Sequence, residues 1–152
     1  MSKSILSALL ALAVGMGYTL GANAQGKPEV LVKQRQAVMV LVGKYWGPVN
    51  GMRQGKVPFN ADVAARNAAY LETLSKMPWD GFNANTKGAE HTRALPAIWD
   101  NAAKFKEAQD NFMAAASKLA AVSKGDEEGF KAAAGALGKT CGGCHNDFRQ
   151  KN

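Results

Sequence analysis

Apolar residues along this chain fall into four stretches with helical rather than strand-like spacing, separated by proline, glycine and short polar runs. The first opens after Pro28 and runs at least to Trp46, where Gly47 and Pro48 disturb or end it. The second starts from Asn60, a residue type that caps helix N-termini, with Asp62 in its first turn, and reaches Met77 just before Pro78. Leu95-Pro96 places a proline at the first turn of the third, which continues to about Lys124, with Gly125 as its stop. Asp126 caps the last, and Glu127 and Glu128 complement its dipole. No segment alternates well enough to be a strand. Four helices joined by one long loop and shorter ones predict an all-α fold, an antiparallel four-helix bundle. Leu71, Leu74, Ile98, Trp99, Phe105, Phe112, Leu119, Phe130 and Leu137 have the spacing of its core.

The first residues read differently. Lys3 precedes an apolar run from Ile5 to Val14, and Ala22-Asn23-Ala24 stands before Gln25, the pattern of a secretory signal with its cleavage site. The run is about ten residues long, short of the roughly twenty a helix needs to cross a bilayer. The expectation is a signal peptide over residues 1–24 and a single domain over 25–152, exported to a bacterial periplasm with no membrane span in the mature chain. Removing residues 1 to 24 from 152 leaves 128, enough for one buried core. The formal charge of +7 falls by one without Lys3. Such a basic surface suits acidic redox partners or phospholipid, or serves solubility alone. Nucleic acid binding has no supporting motif and the wrong compartment.

Candidate chemistry concentrates near the C-terminus, where the chain reads Cys141-Gly142-Gly143-Cys144-His145. The C-x-x-C-H run is the pattern of covalent c-type haem attachment. On a helix Cys141 and Cys144 share a face, so two thiols can add to the vinyl groups along one porphyrin edge, and the neighbouring imidazole can swing under the iron. The chain has two cysteines and two histidines. A zinc site would need a second ligand pair, and a redox dithiol would sit at the start of a helix in a βαβ unit. The export signal agrees, because c-type attachment requires an export route. One haem c per chain is therefore expected, covalent through Cys141 and Cys144.

A haem needs a second wall, and the first helix supplies a candidate. Val32, Arg35, Gln36, Met39, Gly43 and Trp46 fall within about 60° of one direction at about 100° per residue. This mixture suits a haem: Arg35 and Gln36 for the propionates, Met39 facing the iron from the side away from His145, and Gly43 leaving room for the ring. Taken alone, Met39 reads as core packing; a haem that requires a distal wall makes it haem-facing. Arg149, four residues after His145, falls on the imidazole's face by helical spacing. His91 lies in a polar stretch and reads as solvated.

These residues resemble the class II cytochromes c and, within them, cytochrome c′. The resemblance covers nearly the whole mature chain and rests on Cys141-Gly142-Gly143-Cys144-His145 near the C-terminus, Arg149, Arg35-Gln36, Pro78-Trp79 with Phe82, and Ile98-Trp99. It implies an antiparallel four-helix bundle, commonly a homodimer, with haem at one end. Cys141 and Cys144 become thioether links, His145 the proximal axial ligand, Arg35 and Gln36 propionate contacts, and Arg149 a cation beside the proximal histidine. The loop before helix three also touches haem in such proteins, and Thr92 and Arg93 are the matching residues. The resemblance further implies high-spin five-coordinate iron that carries electrons and binds nitric oxide or carbon monoxide. The alternative is a low-spin relative with His145/Met39 coordination, acting only as an electron shuttle with periplasmic redox partners. An enzyme is not expected, since the face around Met39 supplies no distal acid or base beyond Arg35. Val40 and Leu41 are candidates for the dimer interface or, equally, for the core.

Overall fold

The computed structural model describes residues 26–151, so the signal peptide expected over residues 1–24 lies outside the described residues. Five helices follow: α1 (Pro28–Arg53), α2 (Ala61–Leu74), α3 (Ala97–Asp100), α4 (Ala102–Val122) and α5 (Glu127–Phe148), with 3₁₀ turns at Trp79–Gly81 and Ala84–Thr86. The four long ones make the bundle: α1 packs on α2 and α5, α2 on α4, and α4 on α5.

Helix α1 does not stop at Gly47-Pro48. Pro48 removes one backbone donor, yet the helix continues to Arg53 because the next turn buries Val49 and Met52 in the core. The stop comes at Gly55, whose φ of +68° lets Gly55 N–H donate to Met52 O and Lys56 N–H to Gly51 O, a Schellman ending. Helix α2 opens as expected, with Asn60 accepting from Val63 N–H at 2.9 Å. It ends at Leu74, three residues before the expected Met77, because the residues before Pro78 turn away from α geometry. Lys76 and Met77 close tighter turns on Thr73 and Leu74, and the Trp79 indole takes the Ser75 carbonyl at 2.7 Å.

The expected third helix is two. After the single turn α3, Asn101 leaves helical geometry (φ −131°, ψ 61°) and its side chain caps α4 by accepting from Lys104 N–H. Asp126 caps α5 through Gly129 N–H at 2.8 Å, as its position implied. Of the residues expected in the core, Leu71, Leu74, Ile98, Phe105, Phe112, Leu119, Phe130 and Leu137 are buried, and Trp99 is half-buried with its indole on Asn83 O. Val40 and Leu41 are exposed, which removes the core reading for both.

Burial divides the bundle lengthwise. One cluster gathers Val49, Met52, Leu71, Phe112, Leu119, Phe130 and Leu137 with five buried alanines. A smaller one, Ile98, Phe105 and Phe148, packs with Phe82, Trp99 and Cys144 at the other end, and Trp79 touches both.

Candidate functional site

The last turns of α5 carry Cys141, Cys144 and His145, and helical spacing turns them toward the side that Phe148 buries. Both cysteines are half-buried free thiols. Burial pushes the Cys141 thiol up, and Cys144 is pushed up to about 11 by burial and by the nearby Cys141 and Asp147. Both are therefore neutral thiols at pH 7. Burial first, then the positive charges of Arg149 and Arg93, hold the His145 imidazole below its usual range. A neutral imidazole keeps a lone pair for ligation.

These side chains open on a cavity of about 620 Å³, within the size range of cofactor pockets. Helix α1 supplies Arg35, Gln36, Met39, Gly43 and Trp46 to its wall, and Trp79, Phe82, Ile98, Phe105 and Phe112 make the rest largely aromatic. Rings at 5.1 Å link Phe82 to Phe105 and Phe105 to Phe148, edge to face. A Cβ added at Gly43 would meet no protein atom within 4 Å. At Gly138 a Cβ would lie 3.2 Å from Trp46 Cζ2; the glycine lets the indole rest on α5.

Arg35 is only 3% exposed, and burial lowers its pKa from the usual arginine value. Its Nη1 donates to Gly81 O and, at 3.2 Å, to Thr86 Oγ1; its Nη2 donates to Thr92 Oγ1 at 2.8 Å; its guanidinium carbon sits 4.3 Å from the Phe82 ring centroid. The guanidinium thus ties α1 to the long loop at three points. Gln36 adds a fourth tie, donating to His91 O at 2.8 Å. His91 itself adopts φ +56° with its side chain in solvent, in keeping with the solvated reading.

Arg149 reaches the cavity by a route that helical spacing did not foresee. Helix α5 ends at Phe148, and Arg149 is extended (φ −125°, ψ 130°) in a short antiparallel contact with Ala94. Leu95 N–H donates to Phe148 O at 3.0 Å, and Gln150 N–H to Arg93 O at 2.8 Å. The Arg93 guanidinium returns two bonds to Gln150 O, at 3.2 and 2.7 Å. The loop before α3 and the tail therefore clasp one another beside His145.

Cys141, Cys144, His145, Arg35, Gln36, Met39, Thr92, Arg93 and Arg149 all line this one cavity. The sequence reading left Phe105 and Phe112 as core packing and did not single out Thr140 or Phe148. The signal for Phe148 was available, since it lies four residues after Cys144 and three after His145.

The cavity fits a haem by the chemistry of its donors: two thiols on one helix face, a neutral imidazole beside them, and a broad aromatic lining. Among the described residues no three of His, Cys, Asp or Glu gather as ligands for a bare metal ion. The family model for cytochrome c′ matches residues 30–149. The chain is 45% identical to cytochrome c′ of Rubrivivax gelatinosus over 82% of this chain and 98% of that one, and 37% identical to cytochrome c′ of Alcaligenes xylosoxydans xylosoxydans over 82% and 97%. The solved Rubrivivax gelatinosus cytochrome c′ superposes with a TM-score of 0.78 over 82% of this chain and 98% of that one. A nitric oxide complex of a point mutant of cytochrome c prime from Alcaligenes xylosoxidans superposes with a TM-score of 0.76 at 36% identity, over 83% and 98%. With four packed helices, a C-terminal Cys141-Gly142-Gly143-Cys144-His145 run and a cavity to receive the ring, the chain belongs to the cytochrome c′ family, and its cofactor is haem c.

Proposed function

We propose that this chain is a periplasmic electron carrier that also binds small gases, rather than an enzyme. When bound, haem c supplies a redox-active iron, high-spin and five-coordinate in this reading, with one axial position left for nitric oxide or carbon monoxide. The observation that carries the proposal is the makeup of the cavity wall. Among its described lining residues His145 is the sole imidazole, and Met39 on α1 stands among Val40, Val42, Gly43 and Trp46. Cys141 and Cys144 would hold the ring by thioether bonds and His145 would ligate the iron on the proximal side. Met39 on the cavity wall would face the iron from the side away from His145, excluding water and admitting a diatomic ligand. Arg35 and Gln36 would contact the propionates, while their bonds to Gly81, Thr86, Thr92 and His91 keep the loop against α1. The solved nitric oxide complex of a relative with the same fold supports the gas-binding part.

A second reading keeps Met39 as an iron ligand, leaving an electron shuttle alone. Its support is the half-buried thioether on the cavity wall. Optical spectra of the purified protein, oxidised and reduced, with and without carbon monoxide or nitric oxide, separate the two. A high-spin spectrum that changes promptly with gas supports the open site. A low-spin spectrum indifferent to carbon monoxide, turned high-spin by Met39→Ala, replaces it with the shuttle.

Export and assembly belong to the same proposal. The signal over residues 1–24 would deliver the chain to the periplasm; among the described residues no helix is long and apolar enough to cross a membrane. Val40 at 71% exposure and Leu41 at 40% offer α1 as the face of a homodimer. Sedimentation at micromolar concentration tests this, with a monomeric mass removing it.

A further inference from the structure

Two cations stand beside the axial histidine, and neither is placed by the helix that carries it. Arg149 lies past the end of α5, and Arg93 comes from the loop before α3; the antiparallel clasp joins them. Arg93 grips the tail with both its backbone and its side chain: its carbonyl accepts from Gln150 N–H, and its Nε and Nη2 donate to Gln150 O. Among the described residues neither arginine has an ion-pair partner, and the nearby Asp147 is engaged with Lys104 at 3.0 Å. The clasp is in turn fastened to α1, since Thr92 Oγ1 accepts both from Ala94 N–H and from Arg35 Nη2. Arg93 and Arg149 line the same cavity as His145.

We infer that Arg93 is a positioning residue: by gripping Gln150 it fixes the tail so that two unpaired guanidinium groups bear on the His145 side of the haem and raise its reduction potential. Losing an electron adds one positive charge to the iron centre, and fixed cations nearby oppose that loss. The effect depends on geometry as well as charge, because an arginine released into water is screened within about 10 Å at moderate salt. A clasp built from two chain segments holds both groups where a frayed helix end would not.

The test is the midpoint potential of the haem-loaded protein at low and high ionic strength, for Arg93→Gln, Arg149→Gln, Arg93→Lys and Gln150→Pro. At low salt the two glutamine variants shift the ferric-to-ferrous ratio at fixed applied potential about two- to fivefold toward ferric, and high salt shrinks the shift. Arg93→Lys and Gln150→Pro keep the net charge but loosen the grip, and shift the ratio the same way. Wild-type potentials in both charge-neutral variants overturn the proposal, since the charges would then act without the clasp. So does a lowered unfolding midpoint at unchanged potential, which is the signature of tail packing alone. Should Gln150→Pro fail to fold, Arg93→Lys decides. Carbon monoxide enters none of these measurements, so the gas-binding reading and this one fail separately.

Discussion

Around Leu119, Phe130 and Leu137 the four long helices meet through side chains with almost no exposure, interleaved with Ala64, Ala68, Ala116, Ala133 and Ala134. Around His145, α1, α4 and α5 stand apart over a cavity of about 620 Å³, walled by aromatic rings, with the long loop tied to α1 beside it. Small residues at helix crossings let backbones approach until the interior has crystal-like density. Large rings held edge to face by one another, as Trp79 is with Phe105 and Phe112, keep them apart without a filling side chain. One bundle thus carries a self-sufficient end and an end shaped for a cofactor, and the two should answer differently to substitution.

The largest expected difference is at Phe130, fully buried and 5.1 Å from Phe59. Phe130→Ala should cost about 3–5 kcal/mol in denaturant unfolding, with the haem spectrum of the folded protein unchanged. An altered spectrum would show that the two ends are not separable. Arg35→Leu comes next. It leaves Gly81 O, Thr86 Oγ1 and Thr92 Oγ1 without their charged donor, at roughly 2–4 kcal/mol, and should disturb the haem spectrum as well, because the loop it holds carries Phe82 and Thr92. Equal loss with an unmoved spectrum would make this tie structural only. A smaller effect is expected at Gly43, which the haem reading sets against the ring. Gly43→Ala should gain less than the about 0.5–1 kcal/mol of helix propensity, because its methyl meets the ring, and should slow carbon monoxide binding, since the methyl borders the cavity.

The smallest effect separates charge from capping. Hydrogen bonds from backbone N–H groups, Gly129 first, hold the Asp126 carboxyl below its usual range. A depressed folded pKa contributes stability that is present above the unfolded value and is lost as pH falls through the folded one. Asp126→Asn keeps the cap, so the variant should match the parent in acid, and the parent should gain on it as pH rises past about 4. Parallel unfolding midpoints across that range would remove the charge from the account of this cap.

The four long helices and the three residues Cys141, Cys144 and His145 are legible along the chain because each depends on local chemistry. A helix start needs an acceptor side chain within three residues, which Asn60 and Asp126 provide, and thioether attachment needs two thiols one turn apart. The face of α1 with Arg35, Gln36, Met39, Gly43 and Trp46 is legible for the same reason, since about 100° per residue is a property of the helix alone. Local rules left the end of α1 open at Pro48, where burial of Val49 and Met52 outweighed one lost hydrogen bond, and missed the break in the third helix at Asn101, whose capping side chain reads equally well as an interior residue. Tertiary structure alone decided where Arg35 spends its donors, how Arg93 grips Gln150 across 57 positions, and that Arg149 reaches the cavity from an extended tail. Those arrangements join segments far apart in the chain, and their energy arises only once α1, the long loop and the end of α5 have been brought together by the packing of the opposite end.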